Sequence, residues 1–193
     1  HILITGAAGM LGRKLTRWLV EAGTLRGAAI SRLDLVDIVD SPIDAEFCTS
    51  RTADLTKLGV AADLVATMPD VIFHLAGVVS GEAEANFEKG MAVNLDGTRA
   101  LFDALRLAVG RPRVVFTSSI AVFGAPFPDP IPDDFHLTPL TSYGTEKMVC
   151  EALLADYSRR GFFDGVGIRL PTISVRPGMP NAAASGFFSG IIR

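Results

Sequence analysis

A short apolar run that passes straight into three regularly spaced glycines, and then into an amphipathic pattern, constrains this chain more than any other feature. Residues 2–15 read ILITGAAGMLGRKL. ILIT has the composition of a buried strand, and Leu11, Leu15, Trp18, Leu19 and Ala22 recur at helical spacing over 9–22. Between them, Gly6 allows a tight strand exit, Gly9 lets the backbone approach a pyrophosphate, and Gly12 lets the helix pack close to the sheet. The N–H groups of Gly9, Met10 and Leu11 then point from the positive end of a helix toward an anion. The segment predicts a nucleotide-binding βα unit at the start of the chain.

The rest of the chain repeats the strand–helix alternation. Strands are expected at 33–39 (LDLVDIV), within 45–55, at 70–77 (DVIFHLAG), at 113–119 (RVVFTSS) and at 165–170 (GVGIRL). Helices are expected over 58–68, over a long stretch from 84 to 109, and over 143–160. Six strands separated by helices give an α/β fold, a Rossmann-like doubly wound parallel sheet with helices on both faces. The Pro-rich segment 124–139 (GAPFPDPIPDDFHLTP) reads as an extended surface loop, of a length that is often functional.

Bulk composition narrows the function classes. Hydrophobic residues are 49% and charged residues 20% of 193 residues, as in a globular domain, and the net charge of −3 argues against a general nucleic-acid or anionic-membrane binder. The two cysteines, Cys48 and Cys150, have no metal-ligand spacing and no disulfide density, so no metal is expected and a reducing, cytoplasmic setting is. No apolar stretch reaches the roughly 18 residues of a membrane span, and the first residues show no basic segment leading into an apolar core. The chain opens on HILIT and stops within GFFSGIIR, an apolar pattern, so residues beyond Arg193 are expected to complete a substrate side. The expected organisation is a dinucleotide-binding domain over 1–170 and the start of a substrate-binding part over 171–193.

An acidic residue at the end of the second strand is expected to accept from the ribose hydroxyls of an adenosine and to repel a 2′-phosphate. Asp37 in LVDIV fits this role, with Asp34 and Asp40 as alternatives, and no Arg follows directly, which favours NAD over NADP. Asp54, with Leu55 beside it, is a candidate for the adenine side, or else an N-cap for the helix that follows. At the end of a later strand stand Thr117, Ser118 and Ser119, where open α/β sheets bind ligands. Downstream, Tyr143 and Lys147 are four residues apart and share one helix face. An ammonium beside a phenol stabilises the phenolate, which can take the proton of a substrate alcohol as hydride leaves its carbon. The same lysine can hold a nicotinamide ribose, and a serine hydroxyl can fix the alcohol.

TGAAGMLG, HLAG, VNLDGT, FTSSIAVFG and SYGTEK occur in this order and together resemble the extended short-chain dehydrogenase/reductase superfamily, with its NAD-dependent epimerase/dehydratase proteins. Carried over position by position, the resemblance implies Ser119 as catalytic hydroxyl, Tyr143 as base and Lys147 as its partner. It implies that Leu75, Ala76 and Gly77 line NAD, and that Asn94 supports the active-site helix and counts with the cofactor side. Pro171 to Ile173 would approach the nicotinamide. It also implies a homodimer built from a four-helix interface of 84–109 and 143–160.

Dehydratases of the superfamily carry an acidic pair after the catalytic hydroxyl, and SSIAVFG has none. The segments TPLTSYGTEKMVCEALLADYSRRGFFDG and RLPTISVRPGMPNAAASGFFSGIIR resemble the D-erythronate dehydrogenase group. That resemblance implies oxidation of a small sugar acid at C2, with Arg176, Asn181 and Ser80 as substrate contacts. Arg176 can clamp a carboxylate in bidentate fashion or merely tie down its loop, and Ser80 can equally be a turn residue. A nucleotide-sugar 4-epimerase that retains NAD, and a non-catalytic dinucleotide sensor, are the competing expectations. An intact Ser119/Tyr143/Lys147 set argues against the sensor.

Overall fold

The computed structural model describes residues 1–132 and 134–173. In chain order, β1 (Ile2–Thr5) leads into α1 (Met10–Ala22), then a small hairpin of β2 (Thr24–Leu25) and β3 (Ala28–Ala29), β4 (Leu33–Asp37), β5 (Cys48–Thr52) and α2 (Val60–Val65). After β6 (Val71–His74) come α3 (Ser80–Ala85), α4 (Phe87–Gly90), a π-helical segment (Met91–Asp96) that runs into α5 (Gly97–Leu107), β7 (Arg113–Ser119), a 3₁₀ turn (Ile120–Val122), α6 (Ser142–Arg159) and β8 (Asp164–Leu170). Six strands form one sheet in the order β5-β4-β1-β6-β7-β8, every neighbour parallel. Strand order reverses between β1 and β6, the switch point at which such sheets open a crevice beyond their carboxyl ends.

Alternation along β1 divides the core. Leu3 joins Val36, Ile72, Val114 and Phe116 under α2, α5 and α6, while Ile2 and Ile4 join Leu33, Leu35 and Leu19 under α1. The larger cluster is knit by Phe102 of α5, whose ring centroid lies 5.2 Å from Phe163 and 6.2 Å from Phe116. Helices therefore cover both faces, which makes this the doubly wound Rossmann-like arrangement expected.

Three differences from the sequence reading have local causes. The long helix expected over 84–109 is broken at Asn86, whose φ of −139° and ψ of 86° leave helical space, and is re-wound as a π-segment at 91–96. The apolar stripe of α1 is rotated: Gly12, Thr16 and Leu19 are its buried residues and Trp18 is 56% exposed. The close seat of Gly12 against the glycine loop sets that rotation, since residue 18 then lies about 120° from it at 100° per residue. Finally, the strand expected at 70–77 leaves the sheet after His74, which frees residues 75–79 for the crevice.

Loop 124–139 is pinned at its ends. Thr138 N–H donates to Val122 O (3.1 Å), and the Phe135 ring lies 6.1 Å from Phe123. Replacing Phe102 with Ala is expected to cost about 3–5 kcal/mol of stability, through lost burial and a cavity the aromatic neighbours cannot close. Urea unfolding of the two proteins measures it.

Candidate active site

The carboxyl ends of β1, β4, β6, β7 and β8 meet along one edge. Gly6 has a φ of 75°, and a Cβ there would lie 2.6 Å from both Ala76 N and Leu75 C, so the loop after β1 and the loop after β6 touch backbone to backbone. A Cβ at Gly12 would collide with Gly6 O, whereas at Gly9 its one contact within 4 Å would be Gly6 O at 3.2 Å. Gly9 is the N-cap of α1; among the described residues no side chain caps that end, and no acidic residue stands in its first turn. The N-terminal N–H groups of a helix with no side-chain cap favour an anion. Asp37 closes the other side of this loop, its Oδ2 accepting from Ala8 N–H (2.9 Å) and its Oδ1 from Ile38 N–H (2.7 Å).

The alternatives to Asp37 are engaged elsewhere. Asp34 is 6% exposed and paired with Arg32 and His1, and Asp40 accepts from Ser50 Oγ. Asp54 does not cap α2, which starts at Val60 with Gly59 as its N-cap; its carboxylate instead accepts from Thr56 N–H (2.9 Å) and Oγ1 (2.8 Å). Leu55 packs against the larger core cluster, on Gly97.

Ser119 ends β7 and begins the 3₁₀ turn, its Oγ accepting from Ala121 N–H (3.1 Å). That turn lies on the start of α6: a Cβ at Gly144 would collide with Ala121 O and come within 2.9 Å of Pro139. Gly144 thus lets Tyr143 and the turn that follows Ser119 come close. Thr141 caps α6 by accepting from Gly144 N–H (3.0 Å). One turn on, the Lys147 ammonium is buried, donates to Thr117 O (3.0 Å), and sits 4.8 Å from the Phe116 ring and 5.7 Å from the Tyr143 ring. Burial lowers its pKa from 10.5 to about 8, partly offset by Cys150 and Glu146.

A buried polar network backs this edge. The His74 ring bonds Thr5 Oγ1 (2.6 Å) and Thr98 Oγ1 (2.9 Å), which joins β1, β6 and α5. Burial, and then the Lys147 charge, push its pKa down to about 3, so it stays neutral. Asn94, counted above with the cofactor contacts, is fully buried, and its amide is engaged: Oδ1 accepts from Val78 N–H (2.9 Å) while Nδ2 donates to Val78 O (3.2 Å) and Glu146 Oε2 (2.7 Å). It acts on the loop after β6 rather than through a free side chain. Gly77 stands between, since a Cβ there would lie 2.8 Å from Asn94 Oδ1 and 3.6 Å from Lys147 Nζ.

Ser80 is the first residue of α3. Pro171 and Ile173 follow β8, whose Leu170 is level with Ser119. Arg176 and Asn181 lie outside the described residues. Sequence reasoning missed Glu146, His74 and Thr98. Glu146 had a signal, because it lies three residues after Tyr143 and four before Cys150, spacings that bring it near both along α6.

Residues 2–193 match the model of the NAD dependent epimerase/dehydratase family. The chain belongs to that family. It is 52% identical to D-erythronate dehydrogenase from Cupriavidus necator and 39% identical to that of Haemophilus influenzae, each match covering 100% of this chain and 61% of the relative. The crystal structure of the nucleoside-diphosphate-sugar epimerase from Agrobacterium tumefaciens superposes with a TM-score of 0.95 at 64% identity, over 100% of this chain and 58% of that one. The chain therefore spans about three fifths of the length of these relatives. Among the described residues, no helix is long and apolar enough to cross a membrane.

Because the unfolded chain binds the Lys147 proton up to about 10.5 and the folded chain releases it near 8, this group makes stability rise with pH across that window. Lys147→Met is expected to remove that rise, roughly 3 kcal/mol between the two limits. Comparing the denaturant stability of both proteins at pH 8 and pH 10 measures the difference.

Proposed function

We propose that this chain is the cofactor-binding and catalytic part of an NAD-dependent dehydrogenase that oxidises a small sugar acid, D-erythronate at C2, to 2-dehydro-D-erythronate. The observation that carries the reading is the buried Lys147 ammonium, held between Thr117 O, the Phe116 ring and Tyr143, with Gly77 packed close beside it, where a Cβ would lie 3.6 Å from Nζ. The two relatives called D-erythronate dehydrogenase supply the substrate.

The edge fits the cofactor: Gly6, Gly9 and Gly12 bring no side chain to a phosphate cradle whose N–H groups come from Gly9, Met10 and Leu11, Asp37 offers a carboxylate for the adenosine ribose, and Leu75 to Gly77 lie opposite. When bound, NAD supplies the hydride acceptor. The chain handles the proton. Ser119 Oγ orients the C2 hydroxyl, and the Tyr143 phenolate takes its proton as the C2–H bond breaks and the carbonyl forms. Lys147 favours the phenolate by its charge and holds the nicotinamide ribose. Pro171 and Ile173 border the nicotinamide; Ser80, Arg176 and Asn181 contact the sugar acid. The rest of the substrate pocket belongs to the part that begins at 171, and the protein works as a cytoplasmic homodimer packed through the helices of 84–109 and 143–160.

A nucleotide-sugar 4-epimerase is the second reading, favoured by the name of the structure with 64% identity. The two are separated by incubating full-length protein with NAD and either D-erythronate or a UDP-sugar. NADH formed from erythronate, with kcat reduced roughly 100- to 10,000-fold in Tyr143→Phe, is the expected outcome. UDP-sugar interconversion without net NADH would move the protein to the epimerases. Replacing Asp37 with Ser is expected to weaken NAD binding about tenfold and to narrow the preference over NADP. Titration with each cofactor reads both effects.

A further inference from the structure

Glu146 is 1% exposed, yet it is a carboxylate in the helix that carries Tyr143 and Lys147. Oε2 accepts from Asn94 Nδ2 at 2.7 Å, while Oε1 has no hydrogen-bond partner among the described residues. Burial, with the Glu84 charge adding to it, raises its pKa, against the Asn94 bond and the Lys147 charge. An apolar side chain would fill this position without the penalty of an unpaired buried oxygen. What the carboxylate adds is direction. It fixes the Asn94 amide, whose other two contacts both go to the Val78 backbone.

The helix containing Tyr143 is thereby tied to the crevice from two sides. Lys147 holds the end of β7 through Thr117 O, and Glu146 holds the loop after β6 through Asn94. The π-segment at 91–96 presents Asn94 between them. Gly90, just before that segment, has ordinary helical angles (φ −55°, ψ −56°), yet a Cβ on it would lie 2.5 Å from Glu146 Oε1. The residue is small at the point where the carboxylate needs the room.

We infer that Glu146 is a positioning residue for the cofactor: through Asn94 it fixes the Gly77–Val79 backbone on the nicotinamide side of the crevice. The inference rests on the NAD-dependent reading above. It assigns Glu146 no contact with cofactor or substrate, and it makes the hydrogen bond, rather than the charge, the working feature. Glu146→Gln keeps an acceptor for Asn94 Nδ2; Glu146→Ala does not.

The test is calorimetric titration of the full-length protein and its variants with NAD and, separately, with ADP, which lacks the nicotinamide half. Glu146→Ala is expected to bind NAD about tenfold more weakly, with ADP affinity unchanged. In turnover, KM for NAD rises with kcat within about threefold, and Glu146→Gln restores NAD affinity to within about twofold. Gly90→Ala, whose Cβ would meet the same carboxylate and also press on Ala83 of α3 (3.0 Å) without touching Asn94, is expected to reproduce the loss. Added to Glu146→Ala it should cost little more, so the two effects are not additive. This variant also carries the test if Glu146→Ala does not fold. NAD binding by Glu146→Ala equal to wild type overturns the inference, as does a Glu146→Gln protein as impaired as the alanine variant. A parallel loss of ADP affinity also overturns it, since it would mean general loosening of the domain. Wild-type protein that binds no NAD at all would overturn the functional reading together with the inference.

Discussion

A buried ammonium, that of Lys147, is the constraint around which the carboxyl edge of this sheet is arranged. An unpaired charge in such a place would cost several kcal/mol. Here one donated bond goes to Thr117 O and the Phe116 ring lies beneath the charge, while burial still pulls its pKa down to about 8. To seat it, α6 must lie close along β7. The contact of Gly144 with Ala121 O permits that approach, and it brings Tyr143 beside the turn that follows Ser119. His74, on the neighbouring strand β6, is kept neutral by burial and by the same ammonium, and so serves as a cross-link between threonines rather than as a second charge.

The polar groups around it form a graded interior. Thr5, His74 and Thr98 link two strands to α5, and Asn94 then links the π-segment to both Val78 and Glu146. Asn94 O also accepts from Thr98 Oγ1 (2.7 Å) and from the Cys150 thiol (3.3 Å). Burial holds the Cys150 thiol up near a pKa of about 11, which leaves it a donor in the network and not a nucleophile. Local disruption of the helix at 86–96 is what allows one residue to face three elements, as π-segments do at functional places.

Much of this was legible beforehand, for identifiable reasons. Most of the sheet strands are short apolar runs, α1 has strong helical periodicity, and the glycine loop sits where a strand must turn into a helix. Ser119, Tyr143 and Lys147 stand on strand end and helix as their spacing implied. The break at Asn86 was not legible, because an Ala-, Leu- and Phe-rich stretch satisfies a helical pattern whether or not its hydrogen bonds slip by one residue. Trp18 was assigned to the wrong side of α1 because periodicity finds a stripe without showing which flank faces inward. Asp54 could cap a helix on paper, but α2 begins at Val60 with Gly59 as its N-cap, and the Asp54 carboxylate accepts from Thr56 instead.

By itself the amino-acid sequence determined the architecture: alternating apolar strands and amphipathic helices, with glycines where backbone must meet backbone, permit little other than a parallel doubly wound sheet. It also determined that a phenol and an amine stand together, since residues four apart on a helix share a face in any fold. The tertiary structure decided what those groups are surrounded by. That Lys147 is desolvated, that Glu146 is buried with one oxygen unpaired among the described residues, and that Asn94 reaches Val78 depend on helices and strands tens of residues apart. Burial and long-range hydrogen bonds are properties of packing, and packing is not written in any local pattern.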